Sequence, residues 1–134
     1  LDLVMIAGRY TLLEQPAAEE LLPLCVERGV GVVNAAVYNS GLLATDRPKP
    51  DASYNYDTVP EEQFRRAQAL AECCAEFGVR LPEAAIQYTL RHPAVRTVVV
   101  GTSRAEAVRE NLTRMSAPIP DGLWEALRER GLIP

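Results

Sequence analysis

The sequence predicts an α/β fold built on parallel strands. Three observations carry this expectation. Short aliphatic and β-branched runs, LVMIA at 3–7, VGVV at 30–33 and TVVV at 97–100, alternate with longer segments of helical period. The runs are continuously apolar rather than alternating, as in strands covered on both faces. The segments between them are long enough for the crossovers that parallel pairing needs. The chain of 134 residues suffices for one compact domain with a core.

The elements follow in order. The first strand covers residues 3–7, and Gly8 ends it before a loop anchored by Tyr10, Leu12 and Leu13. Pro16 stands at the first position of a helix running to Arg28 and Gly29, with Leu21, Leu22, Leu24 and Cys25 on its inner face. Pro23 is expected as a tolerated bend in that helix. A second strand at 30–33 runs on through Asn34. The stretch 37–56 reads as a long loop, and its aromatic residues Tyr54 and Tyr56 either close over a ligand or staple the loop to the surface. Residues 60–77 are amphipathic, with Phe64, Ala67, Leu70, Ala71, Cys74 and Phe77 at helical spacing. A further helix begins at Leu81-Pro82-Glu83 and stops at His92-Pro93, where the helix dipole favours a histidine cation. Then come the third strand, the Gly101 turn and a helix over 104–115. Thr102 or Ser103 is the expected cap, with Glu106 completing a capping box. A short helix from Asp121 docks through Leu123, Trp124 and Leu127. Three strands in this order suit the last three β/α units of a (β/α)8 TIM barrel.

Hydrophobic residues make up 48% of the chain and the formal net charge is −4. No basic stripe appears, which argues against nucleic acid and anionic membrane partners. No apolar run approaches the roughly 18 residues of a spanning helix. Cys25, Cys73 and Cys74 lack CxxC spacing and read as buried small side chains in a reducing compartment; no metal site is expected. The chain opens inside an apolar strand with no initiator Met, so residues are expected upstream. A capped helix after the Gly101 turn is either an ordinary βα connection or a phosphate cradle.

Three pieces together resemble the aldo-keto reductase family: AGRYTLL after the first strand, GVGVVNAAVYNSGLLA across the second, and AAIQYTLRHPAVRTVVVGTSRAEAVRENL around the third. They look like the sixth, seventh and eighth β/α units of that family's barrel, so residues 1–134 are expected as its C-terminal part. AGRYTLL and NAAVYNSGLLA are most similar to the L-fucose and D-threo-aldose 1-dehydrogenase branch.

The resemblance implies hydride transfer between NAD or NADP and a carbonyl or sugar hydroxyl. It places the cofactor's pyrophosphate along 36–42, with Ala36 and Tyr38 in that loop and Asn39, Ser40 and Gly41 offering backbone N–H groups and a hydroxyl. It places the adenosine end at Gly101, Thr102, Ser103, Arg104, Glu110 and Asn111, the last two meeting the adenine amine. Arg47, Tyr54 and Tyr56 are candidates to close over the sugar. The chain departs from the family pattern at Ala7, where many relatives carry a glutamine for the carboxamide. It departs again at Ala35, where many stack an aromatic ring. Gly101 and Ala107 stand where NADP-preferring members place cations, so NAD is favoured, with Arg104 alone left near the 2′-phosphate. The family's catalytic Asp, Tyr, Lys and His belong to earlier strands; no tyrosine here maps to them, and the sole lysine, Lys49, lies in a loop.

The expected function is the cofactor-binding portion of a cytoplasmic aldose dehydrogenase, inactive without its upstream part. The alternative is a free-standing half-barrel that binds a nucleotide or assembles through open sheet edges without catalysis.

Overall fold

A computed structural model describes residues 1–51, 53–54 and 57–134, with the side chains of residues 53, 54 and 57 left undescribed. Strands β1 (Leu3–Ala7), β2 (Gly31–Ala35) and β5 (Val95–Val99) form a parallel sheet in the order β1-β2-β5. A two-residue hairpin, β3 (Ser53–Tyr54) with β4 (Asp57–Thr58), interrupts the long loop. The helices are α1 (Leu21–Arg28), α2 (Glu61–Glu76), α3 (Leu81–Tyr88), α4 (Ala105–Ser116) and α5 (Asp121–Glu129). The parallel α/β order expected from the sequence is therefore present.

The sheet is covered on one face rather than two. Ile6, Val32 and Asn34 are buried, while Leu3 and Met5 are 55% and 62% exposed. The residues paired with Leu3, Met5 and Ala7 on β2 are Gly31, Val33 and Ala35, so these positions share the uncovered face. On β5 the phase is set by a bulge: Val32 pairs with Val95 but Val33 pairs with Thr97, leaving Arg96 as the extra residue. Without it, Val95 and Thr97 would share a face. With it, Val95 enters the core and Thr97 and Val99 join the uncovered side.

The first helix differs from expectation. Residues 16–18 make one 3-10 turn, and the α-helix starts only at Leu21. The reason is Pro23. In a helix begun at Pro16 it would break an interior hydrogen bond, whereas starting at Leu21 puts it in the first turn, where its N–H has no helical partner anyway. The later start narrows the buried face to Leu22 and Cys25; Leu21 and Leu24 are exposed. Helix α2 follows its period: Ala67, Leu70, Ala71, Cys73 and Cys74 are buried, with Phe64 and Phe77 packed against the core. Helix α5 docks through Leu123, Trp124 and Leu127, and α3 buries Ala84, Ala85 and Ile86. All three cysteines are buried and free, and burial pushes the Cys74 thiol up to about 12, which makes it unreactive at neutral pH.

His92 stands at the end of its helical segment, as expected. The segment before it tightens into a 3-10 turn, Thr89–Arg91. The His92 ring packs edge-on against Tyr10 at 5.6 Å, and its Nδ1 accepts the Ala94 N–H at 3.1 Å. Partial burial lowers its pKa.

Two measurements check this packing. Leu22→Ala, at a fully buried site, is expected to cost about 2–5 kcal/mol in urea unfolding, and Leu24→Ala about 0.5 kcal/mol. For His92 the folded pKa lies below the unfolded one. Its contribution is therefore fully present above the unfolded value near ~6.5 and is lost as pH falls below that through the lower folded pKa. The stability difference between the parent and His92→Gln should shrink on moving from pH 7.5 to about pH 5.5; a difference constant with pH contradicts the buried neutral ring.

Candidate cofactor site at the carboxyl end of the sheet

Parallel pairing brings the carboxyl ends of all three strands to one rim. Gly8, Ala36 and the 101–104 turn follow directly from β1, β2 and β5. At that rim Ala7 pairs with Ala35, and Ala35 with Val99, so small side chains floor the uncovered face there.

The loop after β2 is strained. Ala36, Asn39 and Ser40 have φ of 59°, 51° and 59°, and Gly41 has 95°. Left-handed backbone at non-glycine residues costs of order 1 kcal/mol each and concentrates at ligand clamps. Hydrogen bonds hold the loop in this shape. Asn39 N–H donates to Ala36 O at 3.1 Å, Gly41 N–H to Tyr38 O at 3.1 Å, and Leu43 N–H to Tyr38 O at 2.9 Å. This corrects one expectation: the N–H groups of Asn39 and Gly41 are spent inside the turn, because left-handed residues curl the chain back on itself. The Asn39 side chain also points inward; it is 5% exposed and its Nδ2 donates to Glu14 Oε1 at 3.3 Å. Ser40 and Gly41 form the exposed crest.

The turn after β5 corrects a second expectation. Ser103 and Glu106 form no capping box. The Thr102 hydroxyl accepts the Arg104 N–H at 3.1 Å, closing a turn one residue ahead of the helix. The residue at the cap is therefore Arg104, whose side chain has no acceptor, and no side chain caps α4. Nor does the fold need glycine at 101. A Cβ there meets no atom within 4 Å and the backbone is outside the left-handed region. Gly101, Thr102, Ser103 and Arg104 are all exposed on the rim.

Sequence reasoning missed the residue that joins the two loops. Arg114, on α4, donates through Nη1 to Tyr38 OH at 3.3 Å and Asn111 Oδ1 at 3.2 Å, and through Nη2 to Ala44 O at 3.2 Å. Tyr38 OH donates to Asn111 Oδ1 at 2.8 Å. Burial raises the Tyr38 pKa more than Arg114 lowers it, so the phenol stays protonated and donates. Glu110 lies 3.8 Å from both Arg104 and Arg114. The spacing of Asn111 and Arg114, three apart on one helix, was the available signal. An exposed pair such as Arg104–Glu110 is worth only about 0–1 kcal/mol, so Arg104 is readily redirected to another anion.

Of the sugar-loop candidates, Arg47 falls away from the rim. Arg47 is exposed and lines a cavity of about 560 Å³ between the loop and α2, with Asp46, Gln68, Glu72, Ala75 and Arg80. Among the described residues, none from the rim lines that cavity. Tyr54 lies in β3 with its side chain undescribed, and Tyr56 lies outside the described residues. The loop after β1 is fixed instead by apolar anchors and polar ties. Leu12 and Leu13 are fully buried, Asn34 Nδ2 donates to Tyr10 O at 2.8 Å, and Arg66 Nε donates to Leu13 O at 2.7 Å.

A strained loop, an uncapped helix start and small side chains at one rim fit a dinucleotide. Comparison with known proteins agrees in class. The model of the Aldo/keto reductase family matches residues 1–130, and the chain belongs to that family. It is 51% identical over 134 residues to the D-threo-aldose 1-dehydrogenase of a Pseudomonas species, covering 100% of this chain and 41% of that protein. It is 41% identical over 133 residues to the pyridoxal 4-dehydrogenase of Microbacterium luteolum, covering 99% of this chain and 39% of that protein. Among solved structures, the holo form of an aldo-keto reductase from Bacillus halodurans superposes with a TM-score of 0.74 at 28% identity, over 100% of this chain and 43% of that one. The chain thus spans about two fifths of the length of these relatives, and its parallel units match part of their barrel.

The glycines give a direct check. Gly41→Ala forces a Cβ into the left-handed region and should cost about 1 kcal/mol in thermal unfolding, whereas Gly101→Ala should be neutral or stabilise by a few tenths of a kcal/mol. Equal losses at both positions contradict the loop geometry.

Proposed function

We propose that this chain is the nucleotide-binding portion of an NAD(P)-dependent oxidoreductase that oxidises an aldose such as L-fucose to its lactone, with NAD favoured over NADP. The observation that carries the reading is the meeting of the 36–44 and 101–114 segments at the carboxyl rim, tied by Arg114. The 51% identity to a D-threo-aldose 1-dehydrogenase supports the substrate class.

In this reading the exposed crest at Ser40 and Gly41 and the start of α4 hold the pyrophosphate. Glu110 and Asn111 hold the adenine, and Tyr38 braces Asn111 from behind. Ala36 gives the close approach, and Gly101, Thr102 and Ser103 line the adenosine side. When bound, the nicotinamide dinucleotide supplies the acceptor for the hydride leaving C1 of the sugar. The proton from the C1 hydroxyl goes to a base on the earlier strands, as the family resemblance implies, since no tyrosine or lysine of this sequence maps to the family's catalytic pair. A single cation, Arg104, stands near the ribose, and it is shared with Glu110; this favours NAD. Arg47, Tyr54 and Tyr56 remain candidates for contact with the sugar. Three buried thiols suit a reducing, cytoplasmic setting, and among the described residues no helix is long and apolar enough to cross a membrane.

One observation favours a second reading, a half-barrel that associates without catalysis: Leu3, Met5 and Val99 on the uncovered sheet face are exposed. Two assays separate these readings. The full-length protein mixed with L-fucose should reduce NAD, with NAD preferred over NADP by about tenfold for the loss of one phosphate-binding cation. Failure to bind either dinucleotide in a fluorescence titration sinks the oxidoreductase reading.

A further inference from the structure

The loop after β1 is tied down on every side except at one side chain. The backbone turns at Gly8, with φ of 67°, and the Gly8 N–H donates to Ala35 O at 3.1 Å. Arg9 O accepts the Ala17 N–H at 2.9 Å, and the buried Thr11 hydroxyl accepts the N–H groups of Leu13 and Glu14 at 3.2 Å each. The Tyr10 ring packs against Tyr88 and His92, with centroids 5.6 Å away in both cases. Exposure alternates along the segment: Leu3, Met5, Ala7 and Arg9 are exposed, whereas Ile6 and Tyr10 are buried. Arg9 thus follows Ala7 on the uncovered side of the sheet, at its carboxyl rim. Among the described residues no hydrogen bond or ion pair holds its guanidinium, a group with donors only and a permanent charge.

The strand order decides which part of a ligand comes near Arg9. In the proposed binding mode the adenosine lies at the start of α4, after β5, and the pyrophosphate lies over the loop after β2. Strand β1 flanks β2 on the opposite side from β5. At about 4.8 Å between neighbouring strands, the end of β1 lies about 10 Å from the end of β5. A dinucleotide that continues along the rim in this direction brings its reactive end, and the sugar carbon beside it, to Arg9.

We propose that Arg9 is a specificity-determining residue that donates to the sugar's hydroxyl oxygens on C2 and C3, the carbons next along from the reacting C1. A guanidinium can direct two parallel N–H groups at adjacent oxygens, and its charge makes each bond roughly twice as strong as a neutral one. Having no lone pair to offer, Arg9 takes no part in removing the C1 hydroxyl proton.

The inference rests on the oxidoreductase reading, and the test separates the two. On the full-length protein and its Arg9→Met and Arg9→Lys variants, kcat/KM with NAD is measured for L-fucose, 2-deoxy-L-fucose and 3-deoxy-L-fucose. NAD affinity is measured alongside by fluorescence titration. The parent should lose about tenfold in kcat/KM on each deoxy sugar, the worth of one hydrogen bond to a charged group. Arg9→Met should lower kcat/KM for L-fucose by at least about tenfold and treat the three sugars within about threefold of one another, with NAD affinity within about twofold of the parent. Arg9→Lys, a point charge in place of a fork, should keep part of the preference for L-fucose. Should Arg9→Met not fold, Arg9→Lys carries the same comparison, with that preference reduced. An Arg9→Met protein, or an Arg9→Lys protein in its place, that keeps the full parental preference overturns the inference. So does one that loses equally on all three sugars, or one whose NAD affinity falls as far as its kcat/KM. A parent that binds NAD but does not distinguish L-fucose from its deoxy forms, or oxidises none of them, overturns the inference and leaves nucleotide binding intact. A parent that binds neither dinucleotide overturns both.

Discussion

Everything at the rim depends on β2 pairing in parallel along both of its edges. Parallel strands must start and finish together, so the chain leaves β1, β2 and β5 at one end of the sheet. An antiparallel arrangement of the same residues would put the 36–44 loop and the start of α4 at opposite ends. The bulge at Arg96 then sets the facing of β5, burying Val95 against the helices and turning Thr97 and Val99 the other way. The sheet thereby has one packed face and one uncovered face that ends in the small residues Ala7 and Ala35.

On this frame the site is built from local conflicts that tertiary contacts resolve. The loop after β2 holds Ala36, Asn39 and Ser40 in left-handed backbone that isolated residues avoid. What compensates is a set of bonds from distant elements: Arg114 to Ala44 O, Tyr38 to Asn111, and Asn39 to Glu14. The nearly buried Arg114 donates to a phenol, an amide oxygen and a backbone carbonyl, with the Glu110 carboxylate 3.8 Å away, and these partners offset the cost of burying its charge. The same bonds join the loop after β2 to helix α4, about seventy positions further along the chain.

Much of this was legible in the sequence, and what was not has physical reasons. The strands, the α2 face and the docking of α5 through Trp124 followed from period and residue type, because burial there is decided by local pattern. The facing of β5 was not legible, since the bulge at Arg96 that sets it leaves no mark in a continuous apolar run. Helix α1 was expected too long because Pro16 and Pro23 each suit a first turn, and only packing chooses between them. Ser103 looked like a cap, but Thr102 competes for the same backbone and wins. Arg114 was invisible as a site residue because its partners Tyr38 and Ala44 come from another unit, and no local pattern records a contact across that distance. The motif residues Glu110 and Asn111 were legible only through family resemblance; that the Asn111 side-chain oxygen accepts from Tyr38 and Arg114 needed the structure.

Hydrogen exchange on the full-length protein with and without NAD tests the account most directly. Amides in 36–44 and 101–114 should gain protection together, while those lining the cavity between Arg47 and Glu72 on α2 should not change. Protection confined to that cavity, or arising in only one of the two rim segments, contradicts a shared nucleotide site at the carboxyl end of the sheet.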